Sequence, residues 1–318
     1  MSVYQDQSMD IDYSRRYVYT SDGNDIKLFK WDNDDLEYTN IIPVVKTYTK
    51  ELVNPENLKM FNDGNKMLML DRNNYDSILS LDVERGIVES KTTPHEKFTY
   101  SDDVSFKVRG FDYGVKNDLN CKYVVGINNN HIMKISTSGG ELVDKKLFMK
   151  SQYFTCVCTD SNGNIFVGDK YGNIKFFKDV NGKSVKVFNG LGDCITHIDV
   201  TDSGSILATT DSYVVYLNKF SKDDNIDYKV IKIDNEVKKY LSIENNKILN
   251  AQFLNDETVI NFSIGKYIFH WSIDDIINDI HNYNVYESDN LVLCHKLNKE
   301  YNTQFVLDCK NNPHKIGI

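Results

Sequence analysis

Four residues in the middle of the chain, Cys156, Cys158, Cys194 and His197, are of the types that hold zinc. Cys156 and Cys158 stand two apart, so in a strand both side chains point to one face. A structural zinc would need Cys194 and His197 to converge on that face as a second pair. Thiols in such a strand more commonly pack as small apolar groups, and that is the reading favoured here. Cys294 and His295 are adjacent and would face opposite ways. His197-Ile198-Asp199 puts a base and an acid on one strand face with Cys194 nearby, the ingredients of an activated thiol. The simpler role for these two polar side chains is to hydrogen-bond turn backbone and tie a sheet together. The acidic stretches Asp32-Asn33-Asp34-Asp35 and Lys222-Asp223-Asp224-Asn225 fall in turns; the first lacks the glycine and the later glutamate of a calcium loop and reads as a solvated turn. There is no glycine-rich phosphate loop, nucleophile elbow or zinc-protease pair. The sequence therefore names no catalytic residue, no metal ligand set and no cofactor.

Any chemistry would have to be carried by strands. Of 318 residues 41 % are hydrophobic, and the aromatic share is mostly Tyr (20) and Phe (16), residues that favour strands. With 4 prolines a proline-rich linker is not expected, and residues 1–318 read as one domain. The net charge of −9 argues against nucleic acid or an anionic membrane as partner. No apolar run reaches membrane-spanning length, and Met1-Ser2-Val3-Tyr4-Gln5-Asp6 does not resemble a secretory signal. The 6 scattered cysteines suit reduced thiols, so the expected location is the cytoplasm.

Small turn pairs punctuate the chain at Asp22-Gly23, Asp63-Gly64, Asn162-Gly163 and Ser203-Gly204. The first two glycines lie 41 apart (64 − 23), as do the last two (204 − 163). A period near ~40–45 residues with strands between turns is the signature of a propeller. The clearest unit, Tyr153 to Phe188, reads as four short strands: 154–159, 165–168, 174–177 and 184–188. The next unit repeats it at 195–200, 205–209, 213–217 and 228–233, and an earlier one at 57–61, 67–70, 77–81 and 87–90. A longer unit spans Val104 to Phe148, with an insertion near Asp112 to Asn120. Ile248 to Trp271 supplies three strands, before a polar stretch from Asp274 to Asn284 that suits a helical turn. Tyr17 to Ile42 and Val285 to Cys309 complete the set. The expected fold is all-β, a WD40-like β-propeller of seven four-stranded blades, with six or eight also compatible with the irregular ends. Pairing of N- and C-terminal strands would close the ring and remove its exposed edges.

In a propeller the loops between second and third strands, and those passing from blade to blade, gather on one face. That plan places Arg72, Asn74 and Tyr75 there from one blade, and Lys170 and Tyr171 from a second. Ser212 and Tyr213 come from a third blade, Lys266 and Tyr267 from a fourth, and Asp193 from a connection. Tyrosine beside a basic residue suits a binding hot spot. The candidate partner-binding residues are therefore Arg72, Tyr75, Lys170, Tyr171, Asp193, Tyr213, Lys266 and Tyr267. The plainer explanation is a chain rich in Tyr and Lys with polar turns.

Leu191-Gly192-Asp193-Cys194-Ile195, then Ile198-Asp199-Val200 and Leu207-Ala208-Thr209-Thr210, resemble the core domain of the vacuolar import and degradation protein 27 family. So do Leu81-Asp82-Val83-Glu84-Arg85-Gly86-Ile87-Val88, Gly172-Asn173-Ile174-Lys175-Phe176-Phe177, Leu28-Phe29-Lys30 and Leu36-Glu37-Tyr38, in order from Leu28 to about Trp271. Cys194 departs from the family's usual proline, and the resemblance is expected to leave out the long N-terminal region of fungal members. The resemblance implies a cytoplasmic WD-like propeller connected with turnover of metabolic enzymes, and brings no catalytic residue. Two functions follow as expectations. The first is a non-enzymatic scaffold for a protein or peptide. The alternative is a lactonase-like hydrolase holding a divalent metal in the central channel, for which Asp193, Asn250 and Asn290 are the nearest candidates.

Overall fold

The computed structural model describes residues 9–12, 14–21, 23–32, 35–43, 52–61, 64–96, 104–105, 107–116, 118, 120, 122–138, 141–218, 228–254, 257–298, 303–309 and 313–317. The first sheet holds β1 (Met9–Asp12), β2 (Tyr17–Ser21), β3 (Asp25–Asp32) and β4 (Asp35–Pro43). The second holds β5 (Pro55–Phe61), β6 (Lys66–Asp71), β7 (Asn74–Asp82) and β8 (Ile87–Thr92). A two-stranded ribbon, β9 (His95–Glu96) and β10 (Val104–Ser105), leads to the third: β11 (Gly110–Tyr113), β12 (Tyr123–Asn128), β13 (His131–Ser136) and β14 (Leu142–Leu147). The fourth is β15 (Phe154–Thr159), β16 (Ile165–Asp169), β17 (Ile174–Phe177) and β18 (Lys186–Phe188). The fifth is β19 (His197–Val200), β20 (Ile206–Thr209), β21 (Val214–Leu217) and β22 (Tyr228–Ile231), followed by α1 (Asn235–Tyr240). The sixth is β23 (Ile248–Leu254), β24 (Val259–Ile264), β25 (Tyr267–Ser272) and β26 (Tyr283–Glu287), with α2 (Ile273–Ile277) before its last strand. The C-terminal sheet is β27 (Val292–Asn298), β28 (Thr303–Asp308) and β29 (Pro313–Gly317).

Every sheet is an antiparallel meander in chain order. The innermost strands touch in sequence, β1 to β5 to β11 to β15 to β19 to β23 to β27, and β27 returns to β1. This ring arrangement is why so many strands are apolar on both faces. In β16, Ile165 and Val167 pack toward the third sheet and Phe166 toward the fifth, so the strand is buried throughout.

Six sheets have four strands; the C-terminal one, expected as a seventh four-stranded blade, has three among the described residues. Residues 1–8 lie outside the described residues, as do 33–34 and the acidic stretch 222–225. Several expected boundaries move. The first sheet begins at Met9 rather than Tyr17, and the third at Gly110 rather than Val104. Val285 belongs to β26 of the sixth sheet, not to the last. The expected helical turn after Asp274 is α2, while α1 had no forecast.

The glycine spacing is instructive. Gly64, Gly163 and Gly204, with φ of 81°, 75° and 90°, sit in the hairpin between first and second strands, where glycine enters the left-handed region without strain. Gly23 lies instead between second and third strands, so its distance of 41 from Gly64 joins unlike turns. The two innermost strands start 46 apart (55 − 9).

Candidate partner-binding face

Backbone hydrogen bonds staple the loops between second and third strands to the connections between sheets. Arg72 N donates to Asn54 O at 2.8 Å, and Lys170 N to Tyr153 O at 3.0 Å. Ile248 N donates to Asp211 O at 3.1 Å, and Ser288 N to Lys266 O at 2.9 Å. The two kinds of loop therefore share one face, as the propeller plan requires.

One part of it lies over the fourth sheet. Asp169 Oδ1 accepts from the backbone of Tyr171 and Asn173, each at 2.9 Å, while Oδ2 accepts from Gln152 Nε2 at 2.6 Å and Asn173 Nδ2 at 2.9 Å. This fixes the turn that presents Lys170 and Tyr171. Gly172 (φ 87°) and Gly190 bring that turn against the next connection, backbone on backbone, because a Cβ on Gly190 would strike the Gly172 carbonyl. A Cβ on Gly172 would come within 2.8 Å of Asp193 O. Lys170, Tyr171 and Asp193 are thus brought together. The Lys170 ammonium stands 4.9 Å from the Tyr171 ring centre and 5.4 Å from that of Tyr153, a pair of cation–π contacts. Tyr171 remains 48 % exposed.

Tyr213 does not share that exposure. Thr210 Oγ1 accepts from the backbone of Ser212 and Tyr213 at 3.2 and 3.0 Å, which folds the turn so that the ring joins the core between the fourth and fifth sheets. Tyr213 is 5 % exposed, and burial with the Asp193 carboxylate beside it pushes its phenol above the ordinary pKa. Lys232 covers the ring at 5.4 Å. Tyr213, a candidate for the binding face, is thus buried in this structure. Arg72 is exposed and bonds through Nε to Glu56 at 3.1 Å, while Tyr75 is half-buried against the core between second and third sheets. Lys266 pairs with Glu287 and lies 5.4 Å from the Tyr267 ring. These residues lie on the same face, on loops of the second, fourth, fifth and sixth sheets.

The centre of the ring is organised by carboxylates. Asp112 on β11 accepts from Lys59 Nζ at 2.7 Å and from Thr159 N of the next sheet at 2.9 Å. Asp199 on β19 accepts from Lys116 Nζ at 2.8 Å and Phe253 N of the next sheet at 2.9 Å. Asp10 on β1 repeats the arrangement with Met60 N and Lys296 Nζ. Burial opposes the charge on Asp199, yet Lys116 beside it holds the carboxyl below its usual range. Each aspartate stitches adjacent sheets and neutralises a lysine, leaving no unpaired acid in these three pairs.

Burial shifts the thiol and imidazole candidates away from their charged forms. It pushes the Cys156 thiol up to about 12 and the His197 imidazole down to about 4, with Asp199 acting against the latter shift. Burial, then the Asp112 carboxylate, raises Cys158 as well. Cys194 Sγ points at Ile195 O at 3.6 Å. Among the described residues no three His, Cys, Asp or Glu side chains gather as a metal-binding group. Asp193, Asn250 and Asn290 do not act as one set: the Asp193 carboxylate stands beside the Tyr213 phenol, Asn250 meets His295 through its backbone, and Asn290 Nδ2 donates to Asp308 Oδ2 at 2.9 Å.

The family profile for the VID27 C-terminal WD40-like domain matches residues 4–312. The chain belongs to the Vid27 family. It is 23 % identical over 299 residues to vacuolar import and degradation protein 27 of Schizosaccharomyces pombe, covering 84 % of this chain and 36 % of the relative. The Saccharomyces cerevisiae protein of that name is 21 % identical over 302 residues, covering 85 % and 38 %. The chain thus spans little more than a third of the length of these relatives. Among solved structures it resembles the Cps50 (Swd1) β-propeller domain of Myceliophteria thermophila, with a TM-score of 0.68, 10 % identity and 99 % and 98 % coverage. A chain of a mitotic checkpoint complex matches with a TM-score of 0.70, 8 % identity and coverage of 100 % and 88 %. At such identities the likeness concerns the fold. Vid27 is a family without known catalytic activity. Among the described residues of this Vid27-family propeller, no helix is long and apolar enough to cross a membrane.

Asp10 and Asp112 were given no role from the sequence, and Asp199 only that of tying a sheet together, although a signal for all three existed. Met9-Asp10-Ile11, Phe111-Asp112-Tyr113 and Ile198-Asp199-Val200 each place an acid between apolar residues of an innermost strand. An acid there is buried and must be paired.

Proposed function

We propose that this Vid27-family propeller is a non-enzymatic scaffold of the vacuolar import and degradation type, acting in the cytoplasm and binding a protein or peptide. Its partner docks on the face where Lys170, Tyr171 and Asp193 meet. The observation that carries the reading is the Tyr153–Lys170–Tyr171 stack on a turn fixed by Asp169. Rigid aromatic side chains with a polar handle lose little entropy on binding and bury a large area. Lys170 engages rings and no carboxylate among the described residues, so its charge is available to a partner's acid. The hydrolase alternative draws no comparable support, because the central carboxylates that could have held a cation are each occupied by a lysine.

Affinity capture from native cytosol tests this, comparing the full chain with its Lys170→Ala/Tyr171→Ala variant. Specific proteins held by the first and lost by the second support the scaffold and its location. Identical capture by both refutes the location. No capture by either, together with turnover of small esters or lactones, refutes the scaffold.

A further inference from the structure

Between neighbouring sheets the propeller is packed with apolar clusters, and one seam breaks the rule. Large apolar clusters join the first sheet to the second, the second to the third, and so on to the sixth, and another joins the last sheet to the first. Between the sixth and last sheets the buried apolar cluster among the described residues is Ile268, Val292 and Val306, with Tyr286 packed against it.

Strand alternation explains what replaces them. In β24, Ile260, Phe262 and Ile264 point toward the fifth sheet, so Asn261 and Ser263 point toward the last. His270 lies opposite Asn261 on β25, and from the last sheet Gln304 and His295 share the face of Val306. His270 Nε2 and Gln304 Oε1 are bonded at 3.0 Å. The rest of the set is not satisfied by protein. Asn261 Oδ1 and Nδ2, Ser263 Oγ, Gln304 Nε2 and the nearby Asn250 Oδ1 have no hydrogen-bond partner. Asn261, Ser263 and Gln304 are 0 % exposed and Asn250 3 %. Native cores tolerate few such groups, and each carries a desolvation penalty unless something small and polar meets it.

The donors and acceptors are uncharged, and both imidazoles are neutral, burial holding His295 down to about 3 and lowering His270. Neither an anion nor a cation finds a counter-charge among Asn261, Ser263 and Gln304. Both donors and acceptors are on offer, which suits a molecule that can do both. We infer that this seam is an internal binding site for water, built by Asn261, Ser263, His295 and Gln304, and that ordered water is a structural part of the joint between the sixth and last sheets.

The test pairs a direct observation with a sign. A high-resolution crystal structure of the full chain is expected to show at least one ordered water bridging Asn261 to Ser263 or Gln304; a dry seam, or these side chains bonded to one another, overturns the inference. Asn261→Leu is expected to lower the midpoint of thermal unfolding, because the water loses partners in an apolar setting. A raised midpoint would mean that the amide was an uncompensated polar group, and would likewise overturn it. If Asn261→Leu fails to fold, Ser263→Ala gives the same readout with a smaller change: a lowered midpoint supports hydration, and an unchanged or raised one refutes it.

Discussion

Removing the Asp112 carboxylate should destabilise the ring far more than its single charge suggests. Asp112→Ala takes away acceptors for Lys59 Nζ at 2.7 Å and for Thr159 N at 2.9 Å, and it strands the lysine. The pair is largely buried, with side-chain exposures of 12 % for Lys59 and 10 % for Asp112. Breaking a buried pair from one side costs about 3–5 kcal/mol, because the remaining charge stays desolvated. Against a typical total of about 5–15 kcal/mol this is a large share. At roughly 2–4 °C per kcal/mol for a chain of this size class, the melting point should fall by about 6 °C or more. Urea unfolding followed by tryptophan fluorescence and circular dichroism measures it. Two comparisons make it specific. The Lys59→Met/Asp112→Ala double variant removes both charges and should recover part of the loss. Glu89→Ala, which breaks the exposed pair with Lys66, should cost under about 1 kcal/mol. If Asp112→Ala costs no more than Glu89→Ala, or the double variant is no more stable than the single, the account of the ring centre is wrong.

Three further outcomes follow from burial and close approach. His197 and His295 are held at about 4 and about 3, below the ordinary 6.5, so the unfolded chain takes up protons first as the pH falls. Their contribution makes stability decline from about pH 6.5 toward pH 4, and His295→Gln should flatten that slope in urea titrations; an unchanged slope counts against it. With Cys156 raised to about 12 and Cys158 buried, both should resist alkylation in the native state while the exposed Cys309 reacts, as peptide mass spectrometry would show. Gly190→Ala should disturb the turn bearing Lys170 and Tyr171, since its Cβ would meet the Gly172 carbonyl; partner capture should drop as for Lys170→Ala/Tyr171→Ala, and full capture would refute that coupling.

Much of the fold was legible because hairpins are local. Gly163 and Gly204 mark the same turn in adjacent sheets, and the strands around them fall within a residue or two of expectation. The spacing of Gly23 and Gly64 was a coincidence that happened to match the period, since position in sequence does not distinguish one hairpin of a blade from another. The face was legible in the same measure. Lys170 and Tyr171 flank a turn whose Asp169 and Gly172 are neighbours in sequence. Tyr213 also follows a turn, yet the bonds to Thr210 Oγ1 rotate it inward, a difference of local geometry that residue type does not reveal. Least legible were the pairs at the ring centre. Lys59 and Asp112 are separated by 53 residues, Lys116 and Asp199 by 83, and Asp10 and Lys296 by 286, so sheet packing, and for the last pair ring closure, brings them together.

The central claim is that a partner docks on the face bearing Lys170 and Tyr171. The direct measurement is site-specific photo-crosslinking of the full chain in native cytosol, with the crosslinker at Tyr171 or at the exposed Lys183, which lies between β17 and β18 on the opposite face. The account predicts a discrete crosslinked protein from position 171 and none from 183; a product from 183 alone, or equal products from both, would contradict it.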